Sequence, residues 1–170
     1  MSFSREIKTD KRYKKLLHIL EVAQSRIDVA RDRNEAFAMH SGLLVRQLYG
    51  KQVFSTKKVL LATAQLQANR SRLVEIRSRA SEHISYLHQG CTAFRRYCLA
   101  NYDFTGYKTK EQKDSLLDRP MRPILDFIAE VDNLIEMLDT FIKDIDQAGH
   151  GVRHIVEIHK LLDSSKVGRS

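Results

Sequence analysis

The chain has no tryptophan, only two prolines and only seven glycines among its 170 residues. A fold of many short strands needs Gly and Pro at its frequent reversals, so this scarcity argues against β architecture and for long helices. Long apolar runs are also missing. None approaches the roughly 18 residues of a membrane span, and the opening stretch MSFSREIKTDKR lacks the apolar core of a signal peptide. A soluble, cytoplasmic chain is the expectation. Cysteine is scarce too: Cys91 and Cys98 lie seven apart within a helical pattern, which predicts two reduced, buried thiols on one face and no disulfide. No glycine-rich phosphate loop or nucleophile elbow is present, and no cofactor is implied.

Positive charge is what the chain has in excess, with a formal net charge of +8. The excess is uneven. Residues 1–50 carry ten Lys or Arg against six acids, and residues 51–102 carry nine against two. Residues 103–149 reverse the balance with six against eleven, and residues 150–170 carry four against two. A concentrated basic segment points to a polyanionic partner, nucleic acid above all.

Hydrophobic period supplies the fold class. In the last part of the chain Ile124, Val131, Leu138, Ile145 and Val152 recur every seven residues, with Phe127, Leu134, Phe141, Ala148 and Ile155 three behind each. Ile128, Ile135, Ile142 and Val156 widen this seam into a stripe suited to a bundle core or an oligomer interface. The register crosses the AGHG stretch at Ala148–Gly151 unchanged, which predicts one helix through it, its glycines admitting a neighbouring helix. Pro120 and Pro123 suggest the first turn of that helix.

Earlier, Tyr13, Leu16, Leu20, Ala23, Ile27, Ala30, Phe37, Leu44 and Leu48 form one helical row that Gly50 would end. Leu66, Leu73, Ala80, Ile84, Leu87, Cys91, Phe94 and Cys98 form another, starting near Ser55 or Thr56. The expectation is a single all-α domain over 1–170. It has three long amphipathic helices, at about 9–48, 56–100 and 120–162, and a basic aromatic loop at 101–118. At 1.5 Å per residue the first two would each span on the order of 60–70 Å. This predicts an elongated bundle completed by oligomerisation, with Ile124, Val131, Leu138, Ile142, Ile145, Val152 and Ile155 at the subunit interface.

The candidate nucleic-acid contacts follow from charge and aromatic interleaving. Arg70 and Arg77 form one row on the second helix, and Arg72 and Arg79 another on the opposite flank of its apolar stripe. Arg95 and Arg96 lead into YCLANYDFTGYKTK, where Tyr97, Tyr102, Phe104 and Tyr107 alternate with Lys108 and Lys110 around Gly106. Rings for base stacking beside cations for phosphates are what single-stranded nucleic acid requires.

Competing chemistry is thinner. Arg153 with His159, and Arg77 with His83, have the R-x5-H spacing of HEPN ribonucleases, in which an Arg steadies a phosphorane and a His moves a proton. His159 falls on the apolar row, where packing is its expected role. His150 and His154 are one helical turn apart, a common metal-ligand spacing, but no further ligand joins them. Asp132, Asp139 and Asp146 read as a solvated acidic face.

The stretch VDNLIEMLDTFIKDIDQAGHGVRHIVEIHKLLD, together with FRRYCLANYDFTG, resembles the C-terminal part of the UvsY-like recombination mediators of T-even-type bacteriophages. The order of parts agrees: a basic helix, an aromatic loop ending in Gly, an acidic amphipathic helix and a basic, isoleucine-rich end at Val152, Arg153, His154 and Ile155. The resemblance implies a non-enzymatic protein that binds single-stranded DNA, assembles into a ring-like homo-oligomer and helps a RecA-like recombinase displace the single-strand-binding protein. It places Arg95 and Arg96 on DNA and the helix from Ile124 to Leu162 in the oligomer. A helical virion or scaffold protein without a nucleic-acid role is the alternative.

Overall fold

Every element of the computed structural model, which describes residues 3–48 and 55–167, is helical, with no strand among the described residues. The elements are α1 (Phe3–Thr9), α2 (Lys11–Arg26), α3 (Val29–Ser41), a 3-10 turn at Leu44–Gln47, α4 (Thr56–Asn101) and α5 (Lys110–Val167). No helix among the described residues is long and apolar enough to cross a membrane.

The second predicted helix matches α4, and all eight residues of its row are buried. The first does not survive as one helix over 9–48, because polar caps interrupt the apolar period. Asp10 turns out of the helical region (φ −64°, ψ 134°) and its carboxylate accepts the Arg12 N–H, capping α2. At Ile27 the chain turns extended again (φ −117°, ψ 108°) with the side chain held in the core. The interruption moves the phase by one residue. Ala36 and Leu43 are buried where Phe37 and Leu44 were expected, and those two are 51% and 36% exposed. Gly50 lies outside the described residues.

The third helix begins earlier than its prolines suggested. Lys110 starts α5, and Pro120 and Pro123 sit inside it. Its entry is a capping box that the sequence spells TKEQ: Thr109 Oγ1 accepts the Gln112 N–H at 3.2 Å, and Gln112 Oε1 accepts the Lys108 and Thr109 N–H groups at 3.1 and 3.4 Å. Packing then carries the helix past two residues that each forfeit a backbone bond. Leu117 and Met121 are fully buried, and Tyr13 donates to the Pro120 carbonyl at 2.6 Å in the interior. The loop expected over 101–118 thus contracts to the residues between Asn101 and Lys110.

The chain packs as two compact units, one made of Met1–Ala30 and Ser78–Ile135, the other of Arg31–Arg77 and Glu136–Ser170. In the first unit α2 runs antiparallel to the C-terminal half of α4. Tyr13 meets the Phe94 ring at 5.7 Å, and Leu16 packs where Gly90 leaves room: a Cβ on Gly90 would lie 2.8 Å from Leu16 Cδ1. The N-terminal half of α5 closes this three-helix packing through Leu117, Met121, Ile124 and Val131.

In the second unit α3 lies along the N-terminal half of α4. Asn69 Nδ2 donates to the Met39 carbonyl at 3.0 Å, and Gln65 clamps the turn after α3 by donating to the Gly42 carbonyl at 2.9 Å and accepting the Leu44 N–H at 2.7 Å. The C-terminal half of α5 completes it: His40 stacks on Phe141 at 4.1 Å and reaches Asp144 at 2.9 Å.

The AGHG stretch is helical throughout, as its register predicted. Gly149, however, admits no neighbour, since a Cβ there would meet nothing within 4 Å. Gly149→Ala is therefore expected to stabilise the protein by about 0.8–1 kcal/mol and raise Tm by about 2–4 °C in a thermal melt followed by circular dichroism. A lowered Tm would mean that the glycine serves a contact.

Candidate nucleic-acid interface

The basic rows on α4 face acids of the same chain. Arg70 Nε donates to Asp146 at 2.7 Å, Arg77 donates to Asp139, and Arg72 is held by Glu35 at 2.6 Å and Glu75 at 2.9 Å. In the first unit Arg95 donates to Asp118, and His88 lies 3.5 Å from Asp132. Asp132, Asp139 and Asp146 are therefore not a free acidic face: in the second unit Asp139 and Asp146, seven apart, meet Arg77 and Arg70, seven apart on antiparallel α4, and in the first unit Asp132 faces His88. The hydrogen bonds that Arg70 and Arg77 donate to Asp146 and Asp139, and that Arg72 donates to Glu35 and Glu75, push all three to higher pKa, so they stay cationic. Their pairs are partly exposed, so each contributes only modestly in water. Arg79 is half-buried on the same helix.

Three of the four rings are also engaged. Tyr102 Oη donates to Asp10 at 2.8 Å, Tyr97 carries the Arg12 guanidinium 4.0 Å above its ring and meets Tyr102 edge-on at 6.2 Å, and Phe104 is only 8% exposed. These rings tie the start of α2 to the end of α4 and do not form a stacking platform. Burial, then the hydrogen bond to Asp10, raises the Tyr102 pKa. Burial also raises the Asp10 pKa, but hydrogen bonds from Tyr102, the Arg12 N–H, Tyr97 and the Tyr13 N–H outweigh it and hold the carboxyl below its ordinary 3.8. A carboxyl with a depressed folded pKa stabilises the fold above its ordinary pKa and loses that contribution as pH falls through the folded value. Asp10→Ala is thus expected to cost about 1–2 kcal/mol at neutral pH through the lost cap and the orphaned tyrosine. The deficit should shrink below pH 3.8 in urea titrations across acid pH; a deficit independent of pH would contradict the role.

What remains open lies at the α4–α5 connection. Arg96 is exposed, as are Lys108 and Lys110, and among the described residues none of the three has an ion pair. Tyr107 is 40% exposed on a tight turn closed by its N–H to the Phe104 carbonyl at 2.8 Å. Beneath it a cleft of about 440 Å³ is lined by Gly106, Tyr107, Glu111, Gln112 and Arg119. Arg119 was not among the expected contacts. Its signal was its place nine residues into α5, on the face that the capping box turns toward Tyr107. Glu111 is the one acid in this cleft; hydrogen bonds from its own N–H and from Thr109 keep its pKa low. Lys11, Lys14 and Lys15 on α2 form a second exposed group without ion pairs among the described residues.

The seam assigned to an oligomer interface is largely interior. Ile124, Val131 and Leu138 are fully buried, and Ile145 and Val152 are 2% and 4% exposed, covered by the chain's own helices. Only Ile142 and Ile155 are half-buried. The stripe is wide because it meets two other helices in each unit, which a count of α5 alone could not show.

The other candidates stay apart. Arg77 belongs to Asp139, Arg153 is exposed, and the side chain of His159 lies outside the described residues. His150 is exposed, and His154 pairs with Glu157 at 3.6 Å. No group of three His, Cys, Asp or Glu among the described residues could hold a metal ion. Cys91 and Cys98 are free and buried, and burial pushes their thiols up to about 11 and about 12. No protein-family model, curated protein or solved structure matches this chain.

Proposed function

We propose that this chain is a non-enzymatic protein that binds single-stranded nucleic acid, with the contact at the α4–α5 connection of the first unit. The observation that carries the reading is a set of exposed cations without ion pairs among the described residues, Arg96 in the last turns of α4 and Lys108 and Lys110 beside the exposed Tyr107, with a cleft bordered by Tyr107 and Arg119. Cations without internal partners release counterions when they meet phosphates, and an accessible ring favours unpaired bases.

The narrower role is the one that the UvsY-like resemblance implies, mediation between a RecA-like recombinase and a single-strand-binding protein on DNA. Assembly into a homo-oligomer belongs to the same reading. Exposed apolar side chains of the second unit, among them Leu60, Leu61 and Ile158, are open to it, in place of the buried seam. Fluorescence anisotropy with labelled oligothymidylate and a matched duplex tests the reading: tighter binding to the single strand, weakening steeply with salt, is expected, and no binding at low salt would refute it.

One observation favours the scaffold alternative. Arg70, Arg72, Arg77 and Arg95 all have carboxylate partners within the chain, so the basic helix has a structural use that needs no polyanion.

A further inference from the structure

A second concave surface lies in the first unit, away from the Tyr107 cleft. It is a groove of about 460 Å³ between α2 and α4. On α2 its lining residues are Arg12, Lys15, Leu16 and Ile19, and on α4 Tyr86, Gln89, Gly90 and Ala93, the same i, i+3, i+4, i+7 spacing on both helices. Two turns of each helix therefore face one trough about 10 Å long. Gly90 and Ala93 make it concave, and Gly90 does so where even a Cβ would press on Leu16 at 2.8 Å. The floor is the buried Leu16 with Phe94, and one wall is Tyr86, a large ring left 55% exposed. No carboxylate lines the groove, and Arg12 and Lys15 border it. The Arg12 guanidinium is fixed 4.0 Å over the Tyr97 ring, while Lys15 is exposed and without an ion pair among the described residues.

We infer that this groove is a docking site for an acidic amphipathic helix of a partner protein. An apolar trough with helical repeat on both sides accepts side chains at i, i+3 or i+4, and i+7 of an entering helix, which becomes the fourth helix of a three-helix packing. The basic border selects carboxylates on that helix and repels a basic one. A nucleobase fits the groove less well. Its edges need acceptors as well as donors, and beside the two cations and the Tyr86 hydroxyl the lining has one neutral polar side chain, Gln89, whose Nε2 already donates to Ser85 at 3.3 Å. The inference does not depend on the nucleic-acid reading, whose Arg96, Lys108 and Lys110 do not line the groove.

The test is a peptide-display selection on the immobilised full chain, followed by titration of the labelled, enriched peptide against wild type, Ala93→Leu and Lys15→Glu. Ala93 is exposed, so the leucine fills the groove without entering the core; circular dichroism confirms that both variants keep their helices. Enriched peptides are expected to carry the apolar i, i+3/i+4, i+7 pattern with Asp or Glu flanks. Each variant should weaken their binding at least about tenfold, and Ala93→Leu, which changes no charge, should leave oligothymidylate binding unchanged. Three results would overturn the inference: no enrichment over an unrelated helical protein, enrichment of basic peptides, or equal binding to Ala93→Leu. If both variants lose oligothymidylate binding and keep the peptide, the groove belongs to the nucleic-acid site and the docking role is wrong.

Discussion

Leu138→Asp is expected to unfold the second unit and not to split an oligomer. Leu138 has no exposed surface and lies in a row with Leu134, Phe141 and Ile145, none more than 8% exposed. Truncating such a leucine to alanine costs about 2–5 kcal/mol, and an unpartnered carboxylate adds its desolvation, so the total exceeds about 5 kcal/mol. That is a large part of the stability of a domain this size. Ile142 is half-buried and can turn an aspartate toward water, so Ile142→Asp should cost roughly 1 kcal/mol. Far-ultraviolet circular dichroism with thermal melting checks both. If Leu138→Asp keeps its helicity and melting point, the seam is not the interior that its burial describes.

The second large effect separates the cations left open from those already paired. Replacing Arg96, Lys108 and Lys110 together with Ala should lower the log–log salt slope of single-strand binding by about 2, at roughly 0.7 per phosphate contact, and weaken binding on the order of 100-fold at low salt. Tyr107→Ala should behave differently, losing about 1–3 kcal/mol with little change in slope, because stacking releases no counterions. Arg70→Ala with Arg77→Ala should leave the slope nearly unchanged and lower stability, since Asp146 and Asp139 lose their partners. Anisotropy titrations across a salt series read all three. A paired-arginine variant that loses as much slope as the triple variant would return the contact surface to the rows on α4.

How far the sequence could be read depends on how many neighbours each feature involves. The α4 row from Leu66 to Cys98 was legible because a helical stripe is local and unbroken there. The first segment failed at Asp10 and Ile27, where a cap and a one-residue extension moved the buried face from Phe37 to Ala36. Asp10 was readable as a cap, and TKEQ as a capping box at Thr109, which would have placed the start of α5 ten residues before Pro120. The prolines misled because their cost was weighed without the packing of Leu117 and Met121.

The candidate site fared worse for a physical reason. Charge counted along one helix ignores the helix beside it. Arg70 and Arg77 share their seven-residue spacing with Asp139 and Asp146, and only pairing α4 antiparallel to α5 shows that the rows meet. Tyr97, at the end of α4, and Tyr102, just past it, are likewise engaged by Arg12 and Asp10 from nearly ninety residues away in sequence. Tyr107 and Lys108 on the turn, and Lys110 at the start of α5, are exposed among the described residues, as expected of a connection between helices.

The most direct test of the account is the solution mass of the wild-type chain, by light scattering at low salt, alone and with excess oligothymidylate. The account predicts a heavier species that contains the oligonucleotide and disappears when salt is raised. A protein mass unchanged by the oligonucleotide at low salt would contradict it.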